Sequence, residues 1–198
     1  MKLLFGGLST GSSIARTSSP FIKGCTCEGF VMGKIVRPPI PSSTTHTKGV
    51  LDLVHTDLCG PIGVDSIGGS RYMMVLVDDR SRYTWVYFLR NKSDAPNYFK
   101  EWLTRIERLT ERKLKIVRSD NGGEYTSNTF EKYLADLGID HQTTAPYTSQ
   151  QNGIAERTNR TVVERTIALM HSERIPIDLW AEVMDSVVYL KTDRHLVR

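Results

Sequence analysis

The sequence predicts an α/β domain: a mixed five-stranded sheet, its first three strands antiparallel, flanked by helices. Two observations predict it. Three β-branched and aromatic runs come first, separated by turn signals, and two further short runs then alternate with helical periodicities. The order β-β-β-α-β-α-β-α-α calls for hairpins at the start and helical crossovers afterwards.

Residues 51–58 read as the first strand, and Cys59-Gly60-Pro61 and Gly68-Gly69 punctuate the turn after it. Residues 72–77 and 83–89 form a hairpin around Asp78-Asp79-Arg80-Ser81. Ser93 fits an N-cap for a helix whose inward face is Phe99, Trp102, Leu103, Ile106 and Leu109. Residues 114–117 form a fourth strand running into Asp120, and Asn121-Gly122-Gly123 ends regular structure. Asn128 with Glu131 fits a capping box, followed by a stripe of Phe130, Tyr133, Leu134 and Leu137. Residues 139–144 are the fifth strand and 146–152 a polar loop. A long helix runs from Gly153 to about Glu173, and Pro176 opens a last helix bearing Ile177, Trp180, Met184 and Val187.

The 198 residues suit one domain with an appendage. Residues 1–49 lack periodicity and end in Pro- and Ser/Thr-rich sequence, so they read as an arm before a core at 50–198. No apolar run nears the ~18–20 residues of a membrane span, which points away from a membrane partner. The apolar start is broken by Gly6-Gly7 and has no convincing cleavage site. Three cysteines (Cys25, Cys27, Cys59) are too few and odd in number for a disulfide scaffold, so an intracellular, reducing compartment is expected. The net charge is +4 and the pI about 9.0. Residues 1–50 hold six Lys/Arg against Glu28 alone, a net of +5, leaving the core at −1. The basic character therefore belongs to the arm, not to a basic core face.

Three acids stand at element ends. Asp57 lies near the end of the first strand, Asp120 ends the fourth, and Glu156 lies in the first turn of the long helix, seven residues before Val163 on its inward stripe. Singly, each reads as a turn former or a dipole partner. Together they suggest a divalent-metal cage, and hard oxygen donors without clustered His or Cys suit Mg²⁺ or Mn²⁺. Arg160, at i+4 from Glu156, could neutralise it or contact a phosphate. Asp78 and Asp79 read as hairpin-turn acids, Glu124 as a loop-orienting residue, His55 as a packing neighbour of Asp57, and Tyr72, Trp85 and Tyr87 as sheet core. No Ser/His/acid or Cys/His nucleophile constellation is visible.

Four stretches carry a resemblance: His55-Thr56-Asp57-Leu58-Cys59-Gly60-Pro61; Val77-Asp78-Asp79-Arg80-Ser81-Arg82; Arg118-Ser119-Asp120-Asn121-Gly122-Gly123-Glu124-Tyr125; and the run from Pro146-Tyr147-Thr148-Ser149-Gln150-Gln151-Asn152-Gly153 through Ile154-Ala155-Glu156-Arg157. From about residue 27 onward the chain resembles the integrase core of copia-type long-terminal-repeat retrotransposon polyproteins. Thirty-five residues separate Asp120 from Glu156, the interval of that family's D,D-35-E motif. The resemblance implies a ribonuclease-H-like fold, Asp57, Asp120 and Glu156 as catalytic ligands of two Mg²⁺ (or Mn²⁺) ions, and DNA 3′-end processing and strand transfer. It implies element ends and target duplex as partners, Gln151, Asn152, Arg157 and Arg160 as DNA contacts, and a homo-oligomer working in the nucleus, with no small-molecule substrate. Residues 146–152 resemble the family's flexible active-site loop.

The arm departs from the family pattern. Cys27 to Lys34 resembles the end of a His-His-Cys-Cys zinc module, but Phe30 replaces the second cysteine and the histidines are missing. Two cysteines cannot complete a tetrahedral site, so no zinc is expected and the arm is read as disordered or loosely docked. The chain stops soon after the last helix, so a core without a C-terminal DNA-binding domain is expected. Two other readings remain: a catalytically lapsed remnant that only binds nucleic acid or self-associates, and a nuclease acting on RNA–DNA hybrids.

Overall fold

The computed structural model describes residues 47–144 and 152–196. The arm expected at 1–49, with Cys25 and Cys27, lies outside them save for its last three residues, and so does the loop at 146–151. The strands are β1 (Leu53–Cys59), β2 (Tyr72–Asp78), β3 (Thr84–Leu89), β4 (Ile116–Ser119) and β5 (Asp140–Thr143). The helices are α1 (Ala95–Thr110), α2 (Asn128–Asp136), α3 (Gly153–Ser172) and α4 (Trp180–Leu196), with 3₁₀ turns at Lys92–Asp94 and Ile177–Leu179.

The sheet order is β3-β2-β1-β4-β5. β1 pairs antiparallel with β2, and β2 with β3, whereas β1–β4 and β4–β5 are parallel. The mixed sheet is the one expected: the loop 60–71 and the short turn 79–83 join the antiparallel strands, and helices carry the chain to the parallel ones. Period-two alternation then divides the strands between two cores. Met74, Leu76, Val54 and Val117 pack with Phe99, Trp102, Leu103, Phe130 and Leu134 under α1 and α2. Met73, Val75, Val77 and Cys59 pack with Val162, Met170, Trp180 and Met184 under α3 and α4. Each large apolar side chain so buried contributes roughly 1.5–3 kcal/mol. Edge-to-face pairs join α1 to α2 (Phe99–Phe130, 5.2 Å) and α4 to β3 (Phe88–Trp180, 5.5 Å).

Several boundaries differ from expectation. Asn91, not Ser93, opens the entry to α1: Asp94 Oδ2 accepts from its backbone N–H at 3.1 Å, and Pro96, which lacks an N–H, falls in the first helical turn. At α2 the cap is Ser127, whose Oγ accepts from Phe130 N, so Glu131 is one position too late for a capping box. Leu109 (70% exposed) and Leu137 (52%) fall off the ends of their stripes. β4 begins two residues later than expected, because Leu114 N–H turns aside to Glu107 Oε1 at 3.0 Å.

The hairpin acids tie the chain entering the sheet to the β2–β3 turn. Asp78, fully buried, accepts from Leu51 N at 2.8 Å and from Ser81 N and Oγ at 2.7 Å. Asp79 accepts from Thr47 N and Oγ1 and from His55 Nε2 at 3.3 Å, with Arg82 at 3.6 Å. Both therefore have structural duties.

Candidate active site

β1 is a central strand buried along most of its length, so its polar side chains need partners. His55 has Asp79, and Thr56 Oγ1 meets the Tyr125 hydroxyl at 2.9 Å. Asp57 Oδ1 accepts from Leu58 N at 3.0 Å and Oδ2 from Asn159 Nδ2 at 2.7 Å. The β1–β4 register pairs His55 with Arg118, and carried on by two residues it sets Asp57 opposite Asp120. Adjacent strands lie about 4.8 Å apart, so the two acids belong to one sheet end. Asp120 Oδ1 accepts from Gly122 N at 3.1 Å. A side chain at Gly122 would come within 2.7 Å of Glu124 Oε1 and 3.1 Å of Asp120 Oδ1, so glycine there lets the two carboxylates close over the turn.

Glu156 stands in the first turn of α3, half-buried at the rim of a stripe formed by Ala155, Asn159, Val162 and Thr166. Burial, then the charge of Asp120, opposed by the Asn159 hydrogen bond, and then Glu156 push the Asp57 carboxyl up to about 7. Burial also raises Glu156; Arg157 and Arg160 pull it back and Asp120 adds to the rise. The fold thus brings the three sequence-predicted acids within electrostatic reach of one another. Among the described residues, no three His, Cys, Asp or Glu side chains stand close enough together to hold one metal ion. Asp57 and Asp120 are instead turned onto local N–H donors, as like charges in one site require.

The donor set nevertheless suits a hard divalent cation. The acids offer carboxylate oxygens, their mutual repulsion is the kind a cation relieves, and the Asn159 Oδ1 atom beside Asp57 is buried without a partner.

Arg157 and Arg160 are exposed on α3. Gln151 lies outside the described residues. Asn152 departs from expectation: it is fully buried and its Nδ2 donates to the Thr56 carbonyl at 2.8 Å, so it latches α3 onto β1 with no surface facing a partner.

Sequence reading missed three features. Asn159 was legible in principle, as a polar residue on the inward stripe three positions after Glu156. Tyr125 is buried beneath the acids, where burial raises its hydroxyl pKa despite the bond to Thr56, and the charges of Asp57, Asp120 and Glu124 add to the rise. The fold also assembles a Ser/His/acid row: Ser119 Oγ to His141 Nε2 at 2.9 Å, and His141 Nδ1 to Glu131 Oε1 at 2.7 Å. Ser119 is fully buried, and its Oγ also lies 2.8 Å from the Asp120 carbonyl oxygen. That row braces the strand end carrying Asp120 and offers no reachable nucleophile.

A five-stranded mixed sheet covered by helices on both faces, with acids at the ends of β1 and β4 and the start of α3, is the ribonuclease-H-like class of α/β fold. The intasome of simian T-cell lymphotropic virus in complex with PP2A regulatory subunit B56 gamma, solved by cryo-EM, has a chain of this fold. It matches at a TM-score of 0.54 and 18% identity, over 69% of this chain and 46% of that one. The integrase core domain family model matches residues 48–149, which include Asp57 and Asp120 and stop short of Glu156. The retrovirus-related Pol polyprotein from transposon TNT 1-94 of Nicotiana tabacum is 42% identical over 173 residues, 86% of this chain and 13% of that protein. Pol polyproteins from transposons RE2 and RE1 of Arabidopsis thaliana are each 30% identical over 172 residues, covering 87% of this chain and 12% of those proteins. The chain belongs to the integrase core domain family, as a retrotransposon integrase core, and spans only about an eighth of the curated relatives it matches.

Proposed function

We propose that this chain is the DNA-joining core of its element: it processes the 3′ ends of the element's DNA and transfers them to a target duplex. The observation that carries the reading is the electrostatic coupling of Asp57, Asp120 and Glu156 at one end of the sheet. Asp57, Asp120 and Glu156 would hold two Mg²⁺ or Mn²⁺ ions. When bound, such ions supply activation of an attacking water or 3′-hydroxyl and stabilisation of the leaving oxygen.

The chain's own residues supply the rest. Asn159 holds Asp57 from one side and Leu58 N–H from the other, so the carboxylate is oriented before substrate arrives. Asn152 fixes the start of α3 against β1 and thereby sets Glu156 relative to Asp57. Arg157 and Arg160, exposed beside Glu156, meet DNA phosphates, with Gln151 as a further contact. Residues 1–49 form a basic arm, action on target DNA sets the nucleus as the place of work, and two DNA ends call for a homo-oligomer.

The test is a strand-transfer assay on the purified chain with labelled duplex and Mg²⁺ or Mn²⁺. Joined product that disappears in Asp120→Asn is the expected result. Equal product from wild type and that variant would overturn the assignment. A folded wild-type chain that binds duplex and joins nothing with either metal would make it a lapsed remnant.

A further inference from the structure

β3 is an edge strand of the sheet, and the face it turns toward α1 is not closed over. Its alternate residues Tyr83, Trp85 and Tyr87 line an apolar groove of about 510 Å³ with Trp102, Ile106 and Leu109 of α1. The rings stand in a row, Tyr83 to Trp85 at 4.7 Å and Trp85 to Trp102 at 5.3 Å between centroids. Trp102 and Ile106 are buried, the three strand aromatics are half-buried, and Leu109 is exposed. The polar groups of this wall include the Arg105 guanidinium and the indole N–H of Trp102, which is buried without a hydrogen-bond partner. Both can only donate. The groove therefore suits an occupant that is apolar in its side chains and rich in free carbonyl acceptors.

The chain carries such a segment close by. Thr47 is tied to the β2–β3 turn, its N–H and Oγ1 donating to Asp79 Oδ2 at 2.9 and 3.1 Å. Val50, three residues on from Thr47, and Ser81, two on from Asp79, both line the groove, so the chain preceding Thr47 joins the domain at the groove's end. In Arg37-Pro38-Pro39-Ile40-Pro41, the last proline is six positions before Thr47. Six residues reach at most about 20 Å, enough to bring Pro41 to any point along β3. A four-residue polyproline II segment is about 12 Å long, and Tyr83 to Tyr87 along the strand is about 13 Å. Prolines have no N–H but keep their carbonyls as acceptors, and they enter this conformation at little entropic cost when they dock on aromatic rings.

We propose that the groove between β3 and α1 is the docking site of the chain's own Pro38-Pro39-Ile40-Pro41 segment, which clasps the N-terminal arm to the edge of the sheet. The contact is intramolecular across a short linker, so the effective concentration is in the mM range and a weak apolar contact suffices to hold it. A second copy of the chain is the competing occupant of the same face.

The test uses the full chain, whose three tryptophans give three indole N–H resonances by NMR. Trp180, in the core on the opposite face of the sheet, is the internal control. Wild type is compared with a variant carrying Pro38→Ser, Pro39→Ser, Ile40→Ser and Pro41→Ser. In wild type, nuclear Overhauser contacts are measured from the Ile40 δ-methyl, identified by its loss in Ile40→Val. The expected result is that the Trp85 and Trp102 indole signals shift in the variant, that Trp180 stays, and that Ile40 contacts the Trp85 ring. Unmoved Trp85 and Trp102 signals, or no contact between Ile40 and the groove aromatics, overturn the clasp. Groove signals that follow protein concentration alike in both chains, in step with a dimer fraction from sedimentation, give the groove to a second copy and equally overturn it. The Ile40 contact is read on wild type, so it decides the matter even if the variant fails to fold. Neither measurement involves metal or duplex, so the outcome is separate from that of the DNA-joining assay.

Discussion

Asn159 donates its side-chain amide to Asp57 Oδ2 at 2.7 Å, joining α3 to β1 across 102 positions of sequence. The bond orients the carboxylate and also opposes the rise in its pKa. Asn159→Ala is expected to weaken Mg²⁺-dependent joining by roughly 10–100-fold, the range for partners that orient metal ligands. A metal titration of joining rate checks this. An unchanged metal dependence would leave Asn159 as packing alone.

Asp57 carries a pH dependence whose sign follows from its raised pKa. An acid that titrates near 7 when folded, against 3.8 ordinarily, favours folding when protonated. Its contribution is full below its ordinary pKa and is lost as pH rises through about 7. In metal-free buffer the wild-type Tm should therefore fall between about pH 4 and 8, and Asp57→Asn should flatten that slope. Thermal melts across pH decide it.

Asp78→Ala is expected to cost about 2–4 kcal/mol, since it strands the Leu51 N–H and Ser81 donors in a buried place. Urea unfolding measures it. Asp120→Asn, partly exposed, is expected to stay within about 1 kcal/mol of wild type in the same measurement. The pair separates the structural acids from the candidate catalytic ones.

Ser119, His141 and Glu131 have the connectivity of a hydrolase triad, and Ser119 is sealed. A fluorophosphonate probe should leave the native chain unlabelled at Ser119. His141→Leu should lower stability by about 1–3 kcal/mol, because Ser119 Oγ keeps only the Asp120 carbonyl and Glu131 loses its bond to the imidazole, and should slow joining because Ser119 precedes Asp120.

Sequence reading recovered what is local. β-Branched and aromatic runs between turn signals marked β1, β2 and β3, the stripe through Phe99, Trp102 and Ile106 marked α1, and strand ends marked Asp57 and Asp120. Caps were less legible: Ser93 and Asn128 have the right chemistry, yet Asp94, after a 3₁₀ turn opened by Asn91, and Ser127 hold the positions. Cap choice turns on one residue of backbone geometry, which Pro96 and the Ser127 hydroxyl decide.

The sequence by itself determined the order of elements, a mixed sheet flanked by helices and the identity of the three acids, because periodicity and element ends are properties of neighbouring residues. Only the tertiary structure decided who meets whom. That Asn152 turns inward to Thr56, that Asn159 serves Asp57 and that Lys191 bonds Thr84 and Thr158 depend on strand register and on the seating of α3 and α4. Those contacts span from 33 to over 100 positions, and a chain encodes them only through the packing of all its layers at once.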